Sequence, residues 1–429
     1  MLPARRGAGR AWRFLPRRIP RIALCWRARR AHGRLQGSPL TSALSPSSAA
    51  IHPCRLAIGG LAALAAAMGV GRFVYTPILP AMVAALDLSK AEAGLIASAN
   101  FIGYLLGALL AASPVIRGSK RGWLVGGLAV SALTTGAMGY VGDLPAFLVL
   151  RFAGGIASAF VLVFASTLVL DRLAAAGRSS LSSVHFAGVG IGIAVSAAIV
   201  SASTAAGTDW RGLWIDSAVA ALAALFIAAV LIPGGAEPQA SAEPARPGGR
   251  GLGALILAYG LFGFGYIITA TFIVDLVRGT PNLAPLEPYI WIAVGLAAVP
   301  SVAFWNRAAV RIGLPVAFAI ACIVEAFGVA LSVLWDAPAA VLIGAVLLGG
   351  TMMGITALGL LGARRLGARD PRRWLALATA AFGLGQIVGP SFAGYAHDVT
   401  GSFLLPSLVA AAALVLAAAL QGFVRVPVG

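Results

Sequence analysis

Five ionisable side chains lie inside long apolar stretches of this 429-residue chain, and they are the first candidates for chemistry. Guanidinium and carboxyl groups in such a setting are suited to binding an anion or to carrying a proton. A charge among apolar residues costs several kcal/mol unless it is paired or faces a wet cavity, so each of the five is a functional hypothesis. The five are Arg72, Arg151, His185, Asp216 and Glu325.

Arg72 lies 17 residues after Arg55 and 15 residues before Asp87. In a helix that rises about 1.5 Å per residue it is about 22–25 Å from either end, too deep to reach water. We interpret Arg72 as a cation that meets the substrate or the carboxylate of a coupling proton; an ion pair with a buried acid such as Glu325 is the structural alternative. Glycine and proline around it predict a bent or locally open helix: Gly69, Gly71, Pro77 and Pro80.

Arg151 lies about two turns inside the apolar stretch that starts near residue 144, where it is either a substrate contact or an interfacial residue. Neither Arg72 nor Arg151 has a carboxylate predicted beside it, so the two favour an anionic or zwitterionic small solute over a cation. Neutral polar residues at a similar depth complete the predicted substrate site, although several of them will bond neighbouring helices instead. They are Tyr75, Thr76, Asn100, Tyr104, Tyr259, Tyr266, Thr269 and Gln386.

Three other ionisable residues are candidates for proton coupling. Glu325 lies midway along an apolar stretch, where a hydrogen bond to a neighbouring helix is the favoured alternative. Asp216 is close to one end of its stretch and is also explained as an interfacial residue. His185 is near the end of another stretch, where a structural role is the more common one, although an imidazole titrates in a suitable range for a switch.

Small residues recur four apart in two of the stretches and predict close helix packing. Gly188 and Gly192 form one pair, and Gly385 and Gly389 form the other, with Pro390 directly after it. Residues at i and i+4 share one face of a helix, and without side chains they let two helices approach closely. This packing is either static or part of a sliding contact during gating.

The elements that carry these residues are membrane-spanning helices, because the composition is unsuited to a water-exposed surface. Hydrophobic residues make up 59% of the chain and charged residues only 11%, against about 25% in soluble proteins. Twelve apolar segments reach about the 20 residues that a spanning helix needs, which predicts an all-α membrane protein. The segments lie near 55–86, 92–113, 123–142, 144–170, 181–206, 212–232, 251–277, 288–308, 313–335, 338–362, 373–395 and 402–425.

Several classes of function are excluded by the same sequence. The net charge of +18 resembles a nucleic-acid signal, but eleven of the 32 basic residues fall within residues 1–50. Cys25, Cys54 and Cys322 have no metal or disulfide spacing, and the sequence contains no phosphate-binding loop or catalytic triad. We therefore predict no enzymatic activity, no cofactor, no metal and no nucleic-acid partner.

Four regions are predicted from composition. Residues 1–54 form an Arg-rich, disordered tail, and 233–250 form a Pro- and Gly-rich cytoplasmic linker. The linker separates two six-helix halves, which cover residues 55–232 and 251–429.

An internal repeat supports the two halves. GVGRFVYT at 69–76 aligns with GFGYIITA at 263–270, and GVGIGIAVS at 188–196 aligns with GLGQIVGPS at 383–391. The two offsets, 194 and 195 residues, agree with each other. A parallel repeat of this kind predicts a pseudo-twofold axis along the membrane normal and a site near the midplane between the halves.

Twelve helices in a 6+6 repeat with a central linker resemble the major facilitator superfamily. RFAGGIASA at 151–159 is similar to the superfamily's helix-4 pattern, while GVGRFVYTPILPAM at 69–82 and AYGLFGFGYIITATF at 258–272 resemble its YbfB/YjiJ-type branch. The resemblance implies secondary transport by alternating access. Two features depart from the superfamily: PVIRGSKRG at 114–122 lacks the usual acid, and a Gly-Pro text lies in helix 11, at 389–390, rather than in helix 5.

The prediction is therefore a multi-pass transporter of a bacterial inner membrane that moves a small anionic or zwitterionic solute coupled to protons. Its partners are the solute, protons and the lipid bilayer, and it acts as a monomer. Efflux of drug-like or sugar-like compounds is one alternative, and a non-transporting receptor on the same scaffold is another.

The distribution of basic residues predicts that both termini face the cytoplasm. Outside the tail, sixteen Lys and Arg residues then lie on the inner side of the membrane and four on the outer side. We expect reporter fusions after residues 240 and 370 to give a cytoplasmic signal, and fusions near residues 143 and 336 a periplasmic one. A single inverted signal would contradict the twelve-helix topology.

Overall fold

The computed structural model describes residues 52–234, 250–367 and 371–425. The predicted tail lies almost wholly outside these ranges, as does most of the predicted linker. Within them the chain is helical apart from turns and one isolated pair of bridged residues.

Twelve helices in the described ranges are long and apolar enough to cross a membrane, which confirms the predicted all-α membrane architecture. Four of them continue about one turn beyond the apolar segment, because polar residues extend the helix past the predicted boundary. In chain order the helices are α1 (Pro53–Leu86), α2 (Lys90–Ala111), α3 (Lys120–Tyr140), α4 (Leu144–Ala175), α5 (Ser179–Ala205), α6 (Trp210–Leu231), α7 (Leu252–Gly279), α8 (Ala284–Ile312), α9 (Leu314–Leu334), α10 (Pro338–Leu366), α11 (Arg373–Thr400) and α12 (Leu404–Phe423).

Polar caps fix where several helices begin at one end of the bundle. The Ser89 hydroxyl accepts from the Glu92 amide, and the Glu92 carboxylate accepts from the Ser89 amide, so that the two residues start α2. Asp143 and Asp209 accept from backbone amides at the starts of α4 and α6. We call this end, marked by Glu92, Asp143 and Asp209, the acidic end.

Arginines bind the helices together at the opposite, basic end. Arg121 at the start of α3 donates to the carbonyls of Ile232 and Ala229, at 2.9 and 2.8 Å. Arg172 near the end of α4 donates to the carbonyl of Pro233 at 2.7 Å. These carbonyls at the end of α6 lack partners within their own helix, so the arginines satisfy them.

α1 is interrupted near its middle, beside Arg72. The helix is regular over Pro53–Leu64, widens into a π-helical turn over Ala65–Val70, and regains α-helical geometry only at Tyr75. The predicted opening beside Arg72 is therefore present.

Pro77 explains the interruption. A proline clashes with the carbonyl four residues earlier, here that of Phe73, and has no amide to donate to it. The Phe73 carbonyl accepts from the Thr76 amide instead, at 3.2 Å, and the Gly71 amide reaches back five residues to Ala66 at 2.8 Å. The shifted pattern leaves carbonyls of α1 in need of donors from elsewhere.

Glycines bring α1 and α5 into backbone contact. A Cβ atom on Gly69 would lie 2.3 Å from the Cα atom of Gly192, and one on Gly188 would lie 2.2 Å from the carbonyl oxygen of Leu61. Real Cβ atoms do not approach so closely, so larger residues would force the two helices apart.

α7 and α11 meet in a similar way. A Cβ atom on Gly385 would lie 2.2 Å from the carbonyl oxygen of Gly260, and one on Gly389 would lie 2.7 Å from the Ile267 side chain. Both predicted glycine pairs thus lie at helix contacts, while their role in gating stays a prediction.

The first six and the last six helices meet chiefly at three interfaces among the described residues. The Thr76 hydroxyl of α1 donates to the Ala270 carbonyl of α7 at 2.8 Å. Gly94 of α2 faces the carbonyl of Pro390 in α11, and glycines also bring the backbones of α5 and α8 into contact. The repeat aligns Thr76 with Ala270, and contact between equivalent residues is what a nearby twofold axis would produce; the pseudo-symmetry itself stays a prediction.

Candidate functional site

Arg72 lies in the break of α1 and is 3% exposed. Its guanidinium carbon is 5.3, 4.6 and 4.3 Å from the ring centroids of Phe73, Phe101 and Tyr104. Ring faces attract a cation without occupying its N–H groups. Among the described residues Nε and Nη2 of Arg72 have no hydrogen-bond partner. The side chain is therefore enclosed while these two donors stay unused.

Acidic side chains do not compensate this charge. The ion pairs found within the described ranges join Lys90 to Asp275, Arg278 to Glu287 and His397 to Asp398. The structural alternative of an ion pair between Arg72 and Glu325 is thus not present. A buried guanidinium left in this state favours an anion that supplies the missing acceptors.

Arg151 of α4 has a different environment, although it is 4% exposed. It donates to the carbonyl of Gly71 at 3.1 Å and to the carbonyl of Arg72 at 3.0 Å. Its guanidinium also lies 5.0 Å from the ring centroid of Tyr75. These contacts favour a positioning role, in which Arg151 satisfies the opened backbone of α1, over either role considered from the sequence.

Aromatic rings form the opposite wall of the site. Tyr259, Phe262 and Tyr266 recur at i, i+3 and i+7 on one face of α7, and Phe382 of α11 lies against them. The ring of Phe382 is within 4° of parallel to Tyr266 and within 12° of parallel to Tyr259. Gly383, the next residue of α11, meets Leu105 of α2, which follows Tyr104.

Sequence reasoning missed the phenylalanines of this site because it searched for polar groups. The spacing of Tyr259, Phe262 and Tyr266 was the signal available in the sequence. Phe73, Phe101 and Phe382 lie in three different helices, so only the structure could show that they come close to the site.

Gln386 joins this wall. Its Nε2 donates to the Tyr266 hydroxyl, and the side chain is fully buried. Its Oε1 atom has no partner in the part of the chain that the structure describes. The pair of Gln386 and Tyr266, together with Tyr104 and Arg72, is the part of the predicted substrate site that the structure brings together.

The other predicted contacts bond neighbouring helices, which was the alternative. The Tyr75 hydroxyl donates to the Ala93 carbonyl at 2.8 Å, and the Asn100 amide donates to the Arg151 carbonyl at 2.9 Å. Thr76 is held by α7 as described above, and Tyr259 donates weakly to α10, at 3.3 Å. Thr269 points into a small cavity between α7, α9 and α12, away from Arg72.

The three proton candidates lie apart from one another. Glu325 is fully buried, and neither of its carboxyl oxygens has a hydrogen-bond partner among the described residues. Asp216 accepts from the Ser203 hydroxyl at 2.6 Å near the acidic end. His185 pairs with Ser166 at 3.1 Å between α4 and α5.

A second polar cluster closes the acidic end between the first six and the last six helices. Lys90 at the start of α2 forms a 2.7 Å ion pair with Asp275 of α7. The amides of Lys90 and Ala91 donate to the Asp398 carboxylate of α11, at 3.0 and 2.8 Å. We call Lys90, Asp275 and Asp398 the gate cluster.

Asp275 is the buried acid of the gate cluster. It lies inside α7 and is 7% exposed. An acid can occupy this position because Lys90 reaches it from the end of the neighbouring helix. The gate cluster was missed because its three members lie far apart in sequence.

Within the described ranges, no three His, Cys, Asp or Glu side chains group as metal ligands would.

Arg151→Met should lower the stability of the protein, because it removes the donors for two buried carbonyls. Each unsatisfied group costs about 1–3 kcal/mol, so the melting temperature in detergent should fall by several degrees. Arg307→Met is the matched control, since exposed Arg307 donates to Ala303 in its own helix. Equal melting temperatures for the two variants would show that Arg151 does not hold the break.

Lys90→Ala should open the acidic end more often. The measurement uses a variant that has a cysteine in place of Thr76 and no native cysteines. Labelling of that cysteine by a membrane-impermeant maleimide added at the acidic end should accelerate roughly threefold or more. The reason is that losing a close ion pair shifts an equilibrium by about 0.5–3 kcal/mol. Arg278→Ala is the control, because its 3.4 Å pair with Glu287 lies within the last six helices. If both variants label at the same rate, the gate cluster does not hold the closed state.

Comparisons with known proteins place the chain in a family. A family model described as "Uncharacterised MFS-type transporter YbfB" matches residues 64–422. No individually curated protein gives a significant match.

Two solved structures illustrate the fold that the chain shares. A mutant of the nucleoside transporter NupG has a TM-score of 0.68 at 16% identity, covering 86% of this chain and 99% of that one. A bacterial homolog of the human lysosomal transporter Spinster, inward-facing and unoccupied, has a TM-score of 0.64 at 14% identity, covering 87% of this chain and 97% of that one. Such identities show the fold alone, whereas the match over most of the length identifies the chain as a member of the YbfB-type family of MFS transporters.

Proposed function

We propose that this transporter moves a small anionic or zwitterionic solute by alternating access, coupled to protons. The observation that carries the proposal is the state of Arg72: buried, without an acidic partner among the described residues, and with Nε and Nη2 unused. A carboxylate can accept both N–H groups at once, and such charge-assisted bonds are stronger than neutral ones. A cationic drug would instead meet a like charge, which disfavours the efflux alternative.

Alternating access is supported by the contacts between the first six and the last six helices. The gate cluster and the bond from Thr76 to Ala270 join the two groups between the acidic end and the break of α1. Loosening these contacts would give a solute a path to Arg72 from that side. We propose that the acidic end faces outwards, that both termini are cytoplasmic and that the monomer is the transporting unit.

Proton coupling is proposed through Glu325. Its carboxyl group is fully buried and neither oxygen has a hydrogen-bond partner in the described part of the chain. We propose that it acts on the site through Tyr266, which bonds Gln386. Gain or loss of a proton at Glu325 would therefore alter the field on the wall that faces the solute.

Arg72→Met should abolish anion binding while leaving the protein at least as stable as wild type, because it replaces an uncompensated buried charge by an apolar chain of similar length. The measurement is the rise in melting temperature caused by a panel of carboxylates, amino acids, sugars and quaternary ammonium compounds. Arg72→Lys should weaken binding of the stabilising anion roughly tenfold, since the planar fork of the guanidinium is lost. Arg211→Lys is the control, because Arg211 also stacks on a ring, that of Trp210, but at the acidic end.

Two results would contradict the proposal. Stabilisation of wild type by cations but not by anions would exclude an anion site, and unfolding of Arg72→Met would indicate a structural charge. Uptake of the stabilising solute into proteoliposomes, with and without an imposed pH gradient, tests the coupling. Accumulation that is the same with and without the pH gradient would rule out protons as the coupling ion.

A further inference from the structure

The space next to Arg72 is bordered mainly by aromatic rings. Phe101 and Tyr104 of α2, Tyr266 of α7 and Phe382 of α11 are buried, yet each retains a small exposed fraction, highest at Tyr104 with 8% and Phe382 with 6%. Rings packed wholly inside the helices, such as Phe262, retain none. We call Phe101, Tyr104, Tyr266 and Phe382 the aromatic box.

Contacts connect the members of the aromatic box in two groups. Phe101 and Tyr104 have their ring centroids 4.6 and 4.3 Å from the Arg72 guanidinium carbon. Phe382 lies 5.9 Å from Tyr266, centroid to centroid, with nearly parallel planes. The next residue of α11, Gly383, meets Leu105 of α2. The box therefore spans the interface between the first six and the last six helices.

Parallel ring faces of this kind favour a flat ligand. The rings of α7 and Phe382 are aligned within about 21° of one another, so they present a row of faces of one orientation. A planar ring can extend such a row by offset stacking, whereas a puckered aliphatic ring contacts it with hydrogen atoms only. A second cation is disfavoured, because Arg72 already occupies ring faces in this space.

Unused polar atoms belong to both groups of helices that the box joins. Arg72 offers Nε and Nη2 on the α1 side, and Gln386 offers Oε1 on the α11 side, each without a partner within the described ranges. Gln386 is oriented by its bond to Tyr266, so Oε1 is held as an acceptor. A ligand that fits both sides carries an anion at one end and an N–H or O–H donor at the other.

We propose that the solute is a flat aromatic carboxylate with a hydrogen-bond donor on its ring. The carboxylate binds Arg72, the ring stacks on Tyr104 and Phe382, and the ring donor binds Gln386. This assignment rests on the proposed function, since it deepens the anion site at Arg72.

Three probes of nearly equal size test the flat ring and the ring donor separately, and each is added to the purified full-length protein. Benzoate and cyclohexanecarboxylate have the same charge and the same number of carbon atoms, but only benzoate is flat. Isothermal titration should show benzoate binding at least about fivefold tighter, as expected for about 1 kcal/mol of stacking. 4-Hydroxybenzoate should bind tighter again, through Gln386.

Variants test whether the aromatic box causes the preference for a flat ring. Phe382→Leu should reduce the preference for benzoate over cyclohexanecarboxylate, while Phe392→Leu, at a ring of α11 that packs on Phe264 instead, should leave it unchanged. Gln386→Leu should remove the advantage of 4-hydroxybenzoate over benzoate.

The outcomes distinguish this inference from the proposed function. If cyclohexanecarboxylate binds as tightly as benzoate and Arg72→Met abolishes both, the anion site stands and the aromatic assignment is overturned. If Phe392→Leu changes the preference as much as Phe382→Leu, the box is not the cause. If none of the three carboxylates binds while another anion does, the aromatic assignment fails alone; if no anion binds, both fail.

Discussion

The hydrogen bonds from Arg151 to the carbonyls of Gly71 and Arg72 are the interaction on which the rest of the site depends. Pro77 opens α1 among apolar helices, where no water is at hand for the freed carbonyls. A guanidinium from α4 supplies two donors in a rigid fork, so the break keeps one geometry. That geometry presents Arg72 to the space between the first six and the last six helices.

Arg72 and Arg151 are the same residue type at a similar depth, and their surroundings give them opposite roles. Arg151 is hydrogen-bonded to the backbone and contributes to stability. Arg72 is surrounded by ring faces, which lower the energy of a cation but leave its N–H groups available. A charge kept in this state reduces stability locally, and such sites are where binding function is commonly found.

Packing and polarity have separate roles in the proposed alternating access. Glycines bring α1 onto α5 and α7 onto α11 with backbones in contact, which favours movement of each group as a unit. Between the groups, the gate cluster relies on Lys90, Asp275 and Asp398, whose charges can be solvated when they separate. Aromatic side chains at the same interface border the proposed site, so a bound solute would influence the contacts that must change.

The sequence by itself determined the helical architecture and the position of Arg72 along its segment. Segment length and composition dictate twelve helices, because a helix satisfies its own backbone in lipid, and residue counting alone places Arg72 far from both ends of α1. The tertiary structure decided that Arg151 holds the break, that Asn100 bonds a neighbouring helix, that Asp275 is paired inside α7 and that Phe382 borders the site. The physical reason is that helices apolar on every side carry no periodic signal of which neighbour each face will meet.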